Sequence, residues 1–354
     1  MTQSTLASRP TPEPDLRIGV IGLRHGARHV RGWQQTPGSA VTALCDLAPD
    51  TAWALAKEAA PGCTVTANAD ELLADPAVDA VVVSVPNGLH ADISRRALLA
   101  GKHVAVEKPI ATTAEQASAL VRLAEQRGLV LAALHDFRAD PAHWAARELV
   151  RRGDLGQVYF ARTRWIRRDN VPTGWYRHKA LAGGGVLLDL GTHRIDLALW
   201  TLGFPAVRSV SAATSRHLLE RRDEPGDVED TAVGMLRLDG GSSLSVDTSF
   251  LGHLPRAEDV LLEVRGTKGS LRVTNIGDSY RHYVLTAFGE AGEEQPLAGA
   301  GLQAAPSMYA DFVAAVRAGT APLCPGWQAA AVADVIDRMY AAAAQNGDDR
   351  VRAA

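Results

Sequence analysis

The chain predicts an α/β protein. A doubly wound parallel sheet occupies the first 135 residues, and an α+β unit with a mostly antiparallel open sheet follows. Three observations carry this. Short apolar β-runs alternate with helical patterns as far as Leu134, as in βαβ units. From Val207 onward, alternating runs follow one another across glycine turns, as in hairpins. The 354 residues exceed what one core usually holds, so two domains are expected.

Composition narrows the class. Apolar residues make up 46% and charged residues 22%, with a net charge of -3, which is ordinary globular usage. Nothing there favours nucleic acid or an anionic membrane. Cys45, Cys63 and Cys324 form no CxxC pair, which fits a reducing, cytoplasmic compartment. No apolar run approaches the ~20 residues that span a bilayer. Residues 1–14, rich in Ser, Thr and Pro, read as a disordered leader. Domains are expected over 15–135 and 136–348, with a frayed end at 348–354.

The first β-run, Leu16-Arg17-Ile18-Gly19-Val20-Ile21-Gly22, ends in glycine and opens a helix through Leu23-Arg24-His25-Gly26. A second run, Ala40 to Asp46, ends in an acid 20 residues after Gly26. This is the layout of a dinucleotide-binding unit. Glycines let the backbone approach a pyrophosphate, and the acid takes the ribose diol. A full GxGxxG is absent: Arg24 stands where a second glycine belongs, and the loop is one residue short. Asp46 could equally start the turn into Leu47-Ala48-Pro49. A carboxylate there repels a 2′-phosphate, so NAD is expected rather than NADP, although Arg24 or Arg28 could reach a phosphate from the loop.

Helices follow at 50–60 and 70–75. The run Val78 to Val85 is nearly all β-branched, as a strand covered on both faces requires. It ends in Pro86-Asn87-Gly88-Leu89-His90, which is either the mouth of a ligand crevice or plain turn chemistry. After the helix 90–100, the strand 103–106 runs into Glu107-Lys108-Pro109. Proline lacks an N–H and stops the strand. Lys108 is thus left at a strand's carboxyl end, where open α/β sheets bind ligands. Otherwise it is a surface lysine at a strand–loop junction. The helix 113–127 and the strand 129–134 complete a six-strand domain.

These stretches together resemble the glucose–fructose oxidoreductase, inositol dehydrogenase and rhizopine-catabolism (Gfo/Idh/MocA) family. The matching segments are Ile18 to Gly22, Asp70 to Asp75, Pro86 to His90, Ala100 to Val104 and Glu107-Lys108-Pro109. The resemblance implies a Rossmann domain holding NAD through Gly22, Arg24, Gly26, Asp46, Pro86, Asn87, His90, Glu107 and Lys108. It extends over about residues 17–348.

In the second half, a helix 141–152 leads into the alternating strand 158–165. The loop through Asn170, Trp175, Tyr176, Arg177 and His178 is rich in aromatic and polar groups, as binding loops are, or is a surface excursion. Tyr176, Arg177 and His178 are candidate substrate residues. Gly183-Gly184-Gly185 precede a buried apolar helix through Trp200. On it, Asp189, His193 and Asp196 fall at i, i+4 and i+7, on one face. They could ligate a metal with help from elsewhere, or the acids could simply bond His193 and Arg194. Asp189-Leu190-Gly191-Thr192-His193 is similar to the family's Asp-x-Gly-x-His motif. The resemblance therefore implies a catalytic and substrate-binding set of Lys108, Asp189 and His193, with no metal. Glu229 and Asp230 either line the site or cap an element. Strands are expected at 207–214, 231–238, 243–250, 260–266, 270–274 and 281–286, with a hairpin turn at 239–241, and helices at 308–318 and 326–344.

The expected function is hydride transfer between NAD and a secondary alcohol or ketone of a sugar, cyclitol or related polyol. The same scaffold would also serve a glycosidase or lyase using retained NAD as a transient oxidant, or a non-catalytic sensor of NAD or sugar. The family implies a homodimer or homotetramer formed through the open sheet face.

Overall fold

The computed structural model describes residues 15–221, 225–295 and 305–346. The expected leader and the frayed end at 348–354 lie outside the described residues. The first sheet is parallel and six-stranded: β1 (Leu16–Ile21), β2 (Ser39–Cys45), β3 (Thr64–Thr66), β4 (Ala80–Val83), β5 (His103–Glu107) and β6 (Leu131–Leu134). Their spatial order is β3-β2-β1-β4-β5-β6. The order reverses between β1 and β4, which opens the ligand crevice at their carboxyl ends. Helices α1 (Leu23–Gln34), α2 (Pro49–Ala59), α3 (Ala69–Ala74), α4 (His90–Leu99) and α5 (Ala114–Arg127) are the crossovers. β4 is buried throughout, as its β-branched composition demands. The three-residue β3 is too short for the periodicity to reveal.

The second sheet has eight strands: β7 (Val158–Arg167), β8 (Val207–Ser215), β9 (Thr231–Leu238), β10 (Ser243–Ser249), β11 (Glu258–Gly266), β12 (Gly269–Asn275), β13 (Tyr283–Phe288) and β14 (Glu294–Gln295). They lie in the order β14-β13-β12-β11-β7-β10-β9-β8. Only β7 and β10 pair in parallel. One face is buried under helices α6 (Pro141–Arg151), α8 (Thr192–Thr201) and α11 (Gly326–Asn346): Ala161, Thr163, Trp165, Val246 and Leu262 point into that core. The opposite face carries Phe160, Arg162, Arg164, Asp247, Val233 and Met235 and has no helix on it among the described residues; Val233 and Met235 are exposed. Helix α7 (Lys179–Ala182), helix α9 (His217–Arg221) and helix α10 (Met308–Ala318) complete the described elements.

The chain does not keep to sequence order. In α10, Phe312 and Val313 pack with Trp33 of α1 in a core of the first sheet. Pro325 bridges Ala132 of β6. A boundary at 135/136 therefore separates two sheets rather than two separately packed bodies.

A buried charge pair ties this junction together. Arg138 donates from Nε and Nη2 to Asp196 at 2.8 and 2.5 Å, and both side chains are fully buried. Arg138 Nη1 also donates to the Leu323 carbonyl and to Gln328. Asp196 is thus turned toward Arg138, and Arg194 donates instead to Thr163 and the Leu261 carbonyl. Asp196 does not share a working face with Asp189 and His193: three residues beyond His193 in the α-helix, it is held in the junction by Arg138, and the π-helical turn at Leu187–Gly191 rotates both later residues relative to Asp189.

Removing one member of a fully buried pair strands the other. Arg138→Met should cost about 3–5 kcal/mol, read from the urea unfolding midpoint. The double variant Arg138→Met/Asp196→Leu should lose less than the two single variants summed.

Candidate active site

A cleft of about 990 Å³ runs from the carboxyl ends of β1, β2, β4 and β5 to the helix-covered side of the second sheet. Its cofactor-side wall begins at Gly22. With φ at 86°, and with the Ser84 carbonyl oxygen 2.5 Å from where a Cβ would stand, only glycine fits there. Helix α1 starts at the next residue, so the shortened loop has no second turn. The Leu23 amide donates to Asp46 Oδ2 at 2.7 Å, and the Ala48 amide to Asp46 Oδ1 at 2.9 Å. Asp46 therefore both starts the turn and faces the cleft. Arg24 lines the cleft without a carboxylate partner among the described residues. Leu47, beside Asp46, is 91% exposed and offers no charge to a 2′-phosphate.

Gly26 is placed off the cleft, whereas His90 and Glu107 line it with their polar atoms engaged by protein groups. Gly26 does not line the cleft; it lets α1 pack against Val20 and Ser84. His90 is buried with Nδ1 2.7 Å from the Pro109 carbonyl and Nε2 2.8 Å from that of Val85, so its ring clamps two loops and has no nitrogen to spare. Glu107 is buried at the cleft floor, where Oε1 meets His29 Nε2 at 2.6 Å and His25 Nε2 at 3.2 Å. Burial opposes its ionisation, yet the two imidazoles hold its pKa well below the ordinary carboxylate range. Asn87 and Pro86 do line the cleft, and Asn87 Nδ2 donates to the Ala182 carbonyl at 2.9 Å.

Lys108 Nζ meets Asp189 Oδ1 at 2.6 Å, with both side chains 16% exposed. This contact joins the two halves of the molecule. Burial would depress the Lys108 pKa, but Asp189 and Tyr176 outweigh it and the pKa is raised. His193 sits in an aromatic cage: Phe137 at 4.9 Å, Trp165 at 5.7 Å and His135 at 6.1 Å between ring centroids. Burial and the neighbouring Lys108 charge push its pKa well below 6.5. At neutral pH the site thus holds a cationic lysine beside an uncharged imidazole.

The helix bearing Asp189 and His193 is placed by its glycines. Cβ atoms at Gly184 and Gly185 would collide with the Tyr340 hydroxyl and the Glu229 carbonyl. The Glu229 carboxylate accepts from the Gly185 and Leu187 amides at 2.9 and 3.0 Å and from Tyr340 at 2.8 Å. It caps this helix rather than lining the cleft, and Asp230 likewise accepts the Leu218 and Leu219 amides.

Of the loop candidates, Tyr176 lines the cleft, stacked on Trp175 at 3.8 Å. Arg177 and His178 do not: Arg177 Nε donates to the Pro172 carbonyl, and His178 is exposed outside the cleft. The structure instead brings in Phe137, Trp165, Arg167, Tyr280 and Arg281, which no motif marked. A continuous aromatic wall, with Tyr280 5.6 Å from Trp165, therefore flanks His193.

A profile of the family described as an oxidoreductase family with an NAD-binding Rossmann fold matches residues 16–135. A second profile, the GFO/IDH/MocA C-terminal domain, matches residues 143–272. The chain is 32% identical over 283 residues to the 1,5-anhydro-D-fructose reductase of Ensifer adhaerens, covering 79% of this chain and 82% of that protein. It is 35% identical over 260 residues to the D-glucoside 3-dehydrogenase of Escherichia coli strain K12, covering 69% and 73%. Among solved structures, GenD2 from gentamicin A biosynthesis in complex with NAD superposes with a TM-score of 0.77 at 29% identity, over 96% of this chain and 98% of that one.

His90, His135, His143 and His193 all have pKa values lowered by burial. Below pH 6.5 the unfolded chain then binds more protons than the native one, so stability falls as pH falls. Thermal unfolding at pH 7.5, 6 and 5 should show a melting temperature that declines with acidification and begins to do so near pH 6.5.

Proposed function

The chain belongs to the Gfo/Idh/MocA oxidoreductase family, and from that premise we propose that it transfers a hydride between NAD and a secondary alcohol or ketone of a sugar, cyclitol or related polyol. The observation that carries this is the charged Lys108–Asp189 pair beside a desolvated, neutral His193 in one cleft with Gly22 and Asp46. The printed activities of the curated relatives, on anhydrofructose and glucosides, support the substrate class.

The residues present fit a dinucleotide. Gly22 leaves the room that a Cβ would fill, and each Asp46 oxygen keeps a lone pair after accepting one amide. Gly22, Arg24, Asp46, Pro86 and Asn87 would hold NAD, whose nicotinamide supplies the hydride acceptor when bound. His193 takes the hydroxyl proton as general base, since an uncharged imidazole is its state at neutral pH. The Lys108 ammonium, held charged by Asp189, stabilises the oxygen as negative charge develops on it. Tyr176 and the aromatic wall exclude water and orient the sugar. We assign cofactor binding to 15–135, and substrate binding and association to 136–348.

The three free thiols support a reducing, cytoplasmic setting, and among the described residues no helix is long and apolar enough to cross a membrane. The uncovered sheet face around Val233, Met235 and Phe160 supports a homodimer or homotetramer.

NADH absorbance with NAD⁺ and a panel of sugars and inositols tests the activity. His193→Ala should lower kcat by about 10²–10⁴-fold. Lys108→Met should lower it by about 10²–10³-fold. Retention of wild-type rates by both variants would remove this assignment. Met235→Asp should shift the mass measured by light scattering to that of a monomer.

A further inference from the structure

We propose that the sugar carries an anionic group, a carboxylate or a phosphate, seated on Arg167 at the end of the cleft away from the cofactor; this rests on the oxidoreductase reading above. Arg167 is the last residue of β7, two after Trp165, so both side chains lie on one face of the strand. Both line the cleft with His193. The Trp165 ring is 5.7 Å from the His193 ring, and the Arg167 guanidinium is 5.2 Å from the Trp165 ring and 5.8 Å from that of Tyr280. The aromatic wall thus leads from the base directly to a guanidinium. A pyranose laid along it would present an exocyclic group to Arg167 while a ring carbinol faces His193.

Arg167 is poorly satisfied for so buried a cation. Its side chain is 12% exposed. Nη1 makes one long hydrogen bond, 3.5 Å to the Asn170 carbonyl. Nε forms a loose ion pair with Glu258 Oε1 at 3.5 Å, without hydrogen-bond geometry. Nη2 has no partner among the described residues. Glu258 is shared, its Oε2 accepting from Trp165 Nε1 at 2.7 Å. A guanidinium has five donors in a fork that matches carboxylate and phosphate oxygens, and a buried Nε left without a hydrogen bond is costly.

Most of the other cations of the cleft are accounted for. Lys108 is held by Asp189. Arg28 and Arg281 share Asp136 at 3.1 and 2.7 Å. Arg96 pairs with Asp70 and Asp92. Arg24, just after Gly22 at the start of α1, also lacks a carboxylate partner among the described residues. Arg167 is the loosely paired cation that adjoins the aromatic wall. During the reaction its anionic partner is a spectator: His193 takes the hydroxyl proton, NAD⁺ when bound would supply the acceptor for the carbinol hydride, and the distal group is unchanged.

The test compares methyl glucoside, methyl glucuronide and glucose 6-phosphate with NAD⁺ by NADH absorbance, alongside calorimetric titration of NAD⁺. An anionic sugar should exceed the neutral one about 100-fold in kcat/KM. Arg167→Met should raise KM for the anionic sugar by about 10–100-fold with kcat changed only a few-fold, and Arg167→Lys should recover part of the loss. Unchanged NAD⁺ affinity and melting temperature would show that the variants fold. Preference for the glucuronide assigns a carboxylate, and preference for the 6-phosphate assigns a phosphate. Equal or better turnover of the glucoside, or an unchanged KM in Arg167→Met, overturns the proposal while the oxidoreductase reading stands. Oxidation of none of the three overturns it as well; absence of NAD⁺ binding in the same titration would remove the oxidoreductase reading too.

Discussion

Lys108 and Asp189 meet across the junction of two sheets, and much of the surrounding architecture exists to let them meet. Strand β5 must stop at Glu107 for the lysine to emerge at its end. The helix bearing Asp189 must come close enough to reach it, which requires glycines at 184 and 185 against Tyr340 and Glu229. Each charge alone would be a poorly solvated ion. With Asp189 2.6 Å away, Lys108 stays charged. The relative placement of the two halves and the protonation of the lysine are therefore one constraint. The Arg138–Asp196 pair repeats it deeper in the same junction, without access to the cleft.

Desolvation then divides the roles. The same burial acts on Lys108 and on His193, but only the lysine has a carboxylate beside it. The imidazole has aromatic rings and the lysine's own positive charge as neighbours, and both disfavour its protonation. A fixed cation and a neutral base thus stand side by side without either needing an unusual intrinsic pKa. Glu107 shows the opposite balance: as buried as these, it is kept ionised by two imidazoles.

The legible part of the site was its strand ends and its one helical motif. Gly22, Asp46 and Lys108 follow local rules of chain geometry, Asp189 and His193 were singled out by the resemblance to the family's Asp-x-Gly-x-His motif, and all five line the cleft. Residues adjacent to them in sequence were less well placed. Arg177 and His178 follow Tyr176 directly, yet a short 3₁₀ turn sends them elsewhere. Gly26 serves the packing of α1 against Val20 and Ser84, while His90 lines the cleft with both ring nitrogens facing loop carbonyls. Phe137 comes from a 3₁₀ turn, Trp165 and Arg167 from one face of β7, and Tyr280 and Arg281 from the connection before β13, so no single period could gather them. Glu229 could be seen as an acid before a strand, but not as the cap of a helix more than 40 residues earlier.

Local sequence by itself determined the two sheet types, the order of crossovers in the first, the glycine needed at position 22 and the strand stop at Pro109. These follow from backbone sterics and side-chain periodicity, which act over a few residues. Tertiary structure alone decided which charges pair, which histidine is desolvated, that α10 returns to the first sheet, and which aromatic residues wall the cleft. Those outcomes depend on burial and on distances between segments up to 280 residues apart, such as His29 and Tyr309. The departure at Asp196 has the same origin. A π-helical turn costs nothing visible in composition, but it rotates every later side chain, and only packing against Arg138 showed where they went.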